Sequence, residues 1–76
     1  MNADRRKRLD QAAELISQAK DMIADVGSEE QDAFDNMSEG LQQTEKAQRM
    51  EEVAFALDDI VNNLDEALGE IEEAKS

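Results

Sequence analysis

The stretch Met50–Ala74, MEEVAFALDDIVNNLDEALGEIEEA, decides the fold. Met50, Leu57, Leu64 and Ile71 recur every seven residues, and Val53, Ile60, Ala67 and Ala74 follow three residues behind them. With Met50 at heptad position a, these are the a and d columns. Ala54, Val61 and Leu68 add a third apolar column at e. Apolar residues so spaced form a broad stripe along one side of an α-helix.

The first half repeats the pattern. With Leu9 at a, Ile16, Ile23, Glu30 and Met37 also fall at a, and Ala12, Ala19, Val26 and Ala33 fall at d. Only Glu30 is out of place. Setting position numbers to sum to 83 places the two halves antiparallel. Ala12 then faces Ile71, Ala19 faces Leu64, Ala33 faces Met50, and Val26 faces Leu57. Small residues oppose large ones in most layers, as interdigitated packing requires. The midpoint lies in Asn36–Thr44, where Asn36 and Gly40 tolerate a left-handed helix end and Ser38 or Thr44 can cap the next helix. The expected architecture is all-α: one antiparallel two-helix hairpin spanning 1–76, with helix 1 at about 3–36, a turn at about 37–43 and helix 2 at about 44–74. A weaker break is conceivable at Gly27, where Ser28 to Gln31 reads as a capping box. The apolar register runs straight through it, so a continuous helix is expected.

A chain of 76 residues lies near the lower limit for a self-sufficient core. It has no Cys and no His, which removes disulfides and nearly all transition-metal sites. Oligomerisation remains, and dimerisation of hairpins into a four-helix bundle is the expected remedy. No segment approaches the roughly 20 apolar residues of a membrane span, and a cytoplasmic location is expected. The net charge of −12 disfavours nucleic acid and anionic membrane as direct partners and favours a protein with a basic surface. The basic run Arg5 to Arg8 is expected to act as an intramolecular clamp beside Glu70, Glu72 and Glu73.

Catalysis finds little to use. Ser17, Ser28, Ser38, Thr44 and Ser76 have no base to activate them. Glu29 to Asp32 forms an E-x-x-D without the preceding E-x-x-E of a magnesium-dependent pyrophosphatase. An EF-hand alignment on Asp35 and Gly40 places Met37 and Lys46 where oxygen ligands are needed. The chain is therefore expected to be no enzyme, with no catalytic residue, metal site or cofactor.

Two surface features remain. Glu51-Glu52, Asp58-Asp59, Asp65-Glu66 and Glu72-Glu73 recur at positions b and c, a ladder of carboxylate pairs spaced by roughly 10.5 Å. Charge belongs at such solvated positions in any helix pair. Yet residues 50–74 contain no Lys or Arg, where a helix selected for stability would mix in cations. The ladder is thus a candidate for imitating DNA phosphates before the basic groove of a nucleic-acid-binding protein. Phe55 falls at f, away from the partner helix. With Val61, Leu68 and Phe34 it forms a candidate apolar docking or dimer surface.

The stretch Glu29–Gln42, EEQDAFDNMSEGLQ, resembles the turn EEQ-x-x-[FY]-DN-[LM]-x-E-[GS]-LQ of a set of small acidic helical-hairpin proteins from bacteria and their prophages. The likeness covers roughly residues 29–74. It implies a phage or mobile-element setting and supplies no activity. Phe34, Met37 and Leu41 would close over the hairpin tip. The functional expectation is a non-catalytic protein-binding module, an inhibitor or modulator that sets its acidic face against a nucleic-acid-processing or defence protein. The alternative is a self-assembling scaffold that engages through the stripe around Phe55.

Overall fold

The computed structural model describes all 76 residues, Met1–Ser76, and contains only helices and turns. Helix α1 spans Ala3–Asp35, the short α2 spans Glu39–Gln42, and α3 spans Glu45–Lys75. The long helices α1 and α3 pack antiparallel along their length. The radius of gyration is 17.3 Å, against about 11 Å for a globule of this length. The molecule is a rod.

Each helix start is capped by a residue suited to it. Asn2 accepts a hydrogen bond from the Arg5 amide at 2.8 Å, and Asp4 in the first turn complements the helix dipole. Ser38 accepts from the Leu41 amide. Thr44 accepts from the Ala47 amide at 3.2 Å and donates its hydroxyl proton to the Leu41 carbonyl at 2.6 Å. These caps replace the left-handed turn expected at Asn36 and Gly40: no residue has a positive φ. Asn36 stays right-handed at φ −82°, and Gly40 lies inside α2. Two polar N-caps six residues apart reverse the chain without a left-handed residue. The Gln42 side chain donates from Nε2 to the Phe34 carbonyl at 3.1 Å and ties α2 to the end of α1. Phe34 and Met37 are half-buried at the tip, but Leu41 is exposed and does not help close it.

Helix α1 runs unbroken through Gly27, and the Gln31 side chain donates to Asp35 instead of boxing Ser28. The register differs from the expected one. Gly27 stands against Leu57, Lys20 bonds Asp65, and Lys75 bonds Asp10. Position numbers across the seam therefore sum to 84 or 85, not 83. The helices are also rotated about their axes. Columns a and e form the seam in both: Leu9, Ala13, Ile16, Ile23 and Phe34 are half-buried in α1, and Ala54 and Ala47 are buried in α3 at 7% and 0% exposure. Column d, expected in the seam, turns outward over much of its length: Ala19, Val26, Ala33, Ile60 and Ala74 are exposed, while Ala12, Val53 and Ala67 stay half-buried. An apolar stripe three columns wide offers two seams to one partner helix. The a/e choice fits because Gly27 and Ala13 let the backbones approach, while Val61 and Leu68 fill the space opposite.

Candidate protein-binding surfaces

An a/e seam divides the rest of the hairpin into two unlike sides. At 100° per residue, d lies about 80° to one side of the seam and b about 80° to the other. The antiparallel pairing brings the two d columns to one side of the rod and the two b columns to the opposite side.

The b side is polar and braced by ions. Lys20 bonds Asp65 at 2.7 Å, and Lys75 bonds both Asp10 and, at 2.9 Å, Glu72. The hydrogen bond to Asp65, then the charge of that carboxylate, holds the Lys20 ammonium above a lysine's ordinary pKa. Lys75 is raised in the same way by its hydrogen bonds to Asp10 and Glu72. The expected arginine clamp is not what closes this end. Arg8 pairs with Asp4 of its own helix, and Arg6 donates from Nε to the Lys75 carbonyl at 3.1 Å. The cation that reaches across is Lys75, which stands in the seam column. Arg6 instead caps a free carbonyl at the C-terminal end of α3, where a positive charge suits the dipole.

The acidic ladder is exposed along the back of α3, apart from the half-buried Glu51. Three of its eight members have cations of this chain: Asp65 with Lys20, Glu72 with Lys75, and Glu52 with Arg49 at 3.4 Å. Glu51, Asp58, Asp59, Glu66 and Glu73 form no ion pair. No group of three or more acidic side chains converges as a metal site would require, and no helix is long and apolar enough to cross a membrane.

The four apolar candidates separate. Phe55 projects into solvent at 61% exposure, whereas Val61, Leu68 and Phe34 are half-buried in column e. Phe55 borders an open groove of about 330 Å³ on the b side, lined by Ile23, Gly27, Leu57, Asp58 and Val61 among others.

Leu15 and Met22 were expected to widen the apolar stripe beyond what one partner helix covers, but the d column beside them was expected in the seam. The d side exposes Leu15 at 66%, Met22 at 69%, Val26 at 48% and Ile60 at 42%, with alanines between them. Its charge is as unusual as its apolarity. Of the 20 acids only Glu29 and Glu70 fall at d or g, whereas Arg5, Arg8, Lys46 and Arg49, four of the eight cations, do. Apart from Glu30 at a and Glu39 in α2, every other acid stands at b, c or f, beside the single cation Lys7. A count of charge by column, made before choosing a seam, would have found this side.

Comparison with models of known families, with curated proteins and with solved structures returns no match. Fold and surface define an acidic helical hairpin with one charged side and one apolar side.

Proposed function

We propose that the protein is a non-catalytic binding module: a dimer of hairpins that offers an acidic outer surface to a basic protein. The observation that carries this reading is the segregation of charge. The unpaired carboxylates of Asp58, Asp59, Glu66 and Glu73 run along one helix, with no cation of the chain beside them. A row of fixed anions attracts a cationic groove over a Debye length of about 10 Å and raises the rate of encounter. Proteins that handle nucleic acid present such grooves, so the partner is placed among nucleic-acid-processing or defence proteins, and the module in the cytoplasm as their inhibitor or modulator. A phage or mobile-element setting fits the sequence of the turn. The spacing of roughly 10.5 Å between carboxylate pairs is far coarser than the one charge per about 1.7 Å of duplex. The likeness to DNA is one of overall charge and not of phosphate-by-phosphate geometry.

The second reading, a self-assembling scaffold, is favoured by a different observation: only two of 76 residues are buried while Leu15, Met22 and Phe55 face solvent. Salt separates the two. A capture from bacterial lysate is washed at about 0.1 M and about 1 M salt, where the Debye length shrinks from about 10 Å to about 3 Å. The acidic module retains a basic partner only in the first wash, and reversing Asp58, Asp59 and Glu66 to Lys abolishes capture with the helices intact. A partner held in both washes, and held equally by the reversed variant, rejects the acidic face as the binding surface.

A further inference from the structure

We propose that a second copy of this chain covers the d side of the hairpin, with Leu15, Met22, Val26 and Ile60 at the seam of a four-helix bundle. This seam rests on the dimeric reading above and deepens it by naming the face. It differs from the apolar surface expected around Phe55.

Three observations assign the occupant. The first is need. With Ala47 and Ala54 as the only buried residues, the a/e seam does not by itself make a core, and the chain has neither Cys nor His to staple it. The second is length. The hairpin is 58 Å long at the level of Cα atoms, so a second hairpin laid along its d columns packs against them over several helical turns. The third is charge. Two copies each carrying −12 repel one another unless their acids point away from the contact. The d columns from Ala12 to Ala33 and from Val53 to Ala74 hold no charged residue for about 30 Å, and the g columns beside them carry one acid each, Glu29 and Glu70. The four cations at d and g sit toward the two ends of the face. Packing through d leaves the acidic ladder outside and the groove beside Phe55 open. Packing through the b side would instead press Asp58, Asp65 and Asp10 of each copy toward those of the other.

The full chain is tested by sedimentation equilibrium and by thiol protection. The wild-type protein is expected to sediment at twice its 8.5 kDa mass. Met22→Asp should weaken self-association by about thirtyfold or more, as loss of a central anchor does, while Phe55→Asp leaves it unchanged. Because aspartate could also unfold the helices, conservative variants provide a second reading. The chain has no cysteine, so a thiol in Met22→Cys or Phe55→Cys reports on one position alone. Alkylation by iodoacetamide should slow with rising protein concentration at Met22→Cys and not at Phe55→Cys. A helical chain that stays monomeric at all concentrations overturns both the seam and the dimeric reading. A dimer that protects the Phe55→Cys thiol and not the Met22→Cys thiol keeps the dimer and overturns the seam. Protection of Met22→Cys that appears only when polyglutamate is added makes the occupant an acidic polypeptide, drawn by Arg5, Arg8, Lys46 and Arg49, and overturns the second copy.

Discussion

Gly27 of α1 stands against Leu57 of α3, so close that a Cβ built on the glycine would meet the leucine Cβ at 3.6 Å. That separation is an ordinary van der Waals contact, and Gly27 has helical backbone geometry. The position is one where the two helices come near, and it leaves room for a methyl group.

Gly27→Ala should therefore stabilise the hairpin by about 1 kcal/mol, through helix propensity and without a clash. Urea midpoints at one fixed protein concentration decide the matter. A loss of stability in the alanine variant would show that the helices lie closer than 3.6 Å implies.

Lys20 occupies a seam column, with its side chain 26% exposed, and is held there by Asp65. An ion pair open to solvent contributes little to stability, whereas an apolar side chain in a seam column gains with the carbon surface it removes from water. Lys20→Leu is expected to raise the melting temperature, and Asp65→Asn to lower it slightly. If Lys20→Leu melts lower than the wild type, the ion pair contributes more than its exposure indicates.

Both Lys20 and Lys75 have pKa values raised by their carboxylate partners. A group whose folded pKa lies above its unfolded one lends stability that is complete below the unfolded value and fades as pH climbs through the folded value. Thermal stability should hold up to about pH 9 and decline once the pH climbs past the ordinary lysine pKa of about 10.4. The double variant Lys20→Met, Lys75→Met should lose that alkaline decline. An equal decline in both proteins would assign it to other groups.

Self-repulsion at −12 opposes the compact state. Salt should raise the melting temperature until the Debye length falls below the spacing of the carboxylate pairs, near 0.1 M, and change it little beyond. Fluoride or chloride salts suit the titration better than sulfate, which strengthens apolar burial as well. A melting temperature that falls steadily with added salt would mean that the cross-helix ion pairs outweigh the repulsion.

The helices and their order were legible in the periodic columns of Leu, Ile, Val and Ala. The capping roles of Ser38 and Thr44 were legible too, because a hydroxyl before a helical run has few other uses. Which of Asn36, Ser38, Gly40 and Thr44 would make the bend was not. Left-handed residues and stacked N-caps both reverse a chain, and the choice depends on where α2 can rest against α3. The clamp at the open end was misread for a related reason. Arg5 to Arg8 formed the conspicuous cluster, but Lys75 stands in the column that faces the other helix.

For the surfaces, the exposed ladder and the projecting Phe55 followed from their heptad positions once Met50 was set at a. The placing of Val61, Leu68 and Phe34 in the seam did not follow, and neither did the exposure of Val26 and Ile60. Local spacing by itself determined that two long amphipathic helices form, where they stop, and that acids line the outer positions. Spacing repeats along a single helix and carries no reference to another. Rotation about the helix axis is set by which side chains fill the gap between two backbones. Only the tertiary contact of Gly27 with Leu57, and of Lys20 with Asp65, chose a/e over a/d. That rotation gave the hairpin its apolar side.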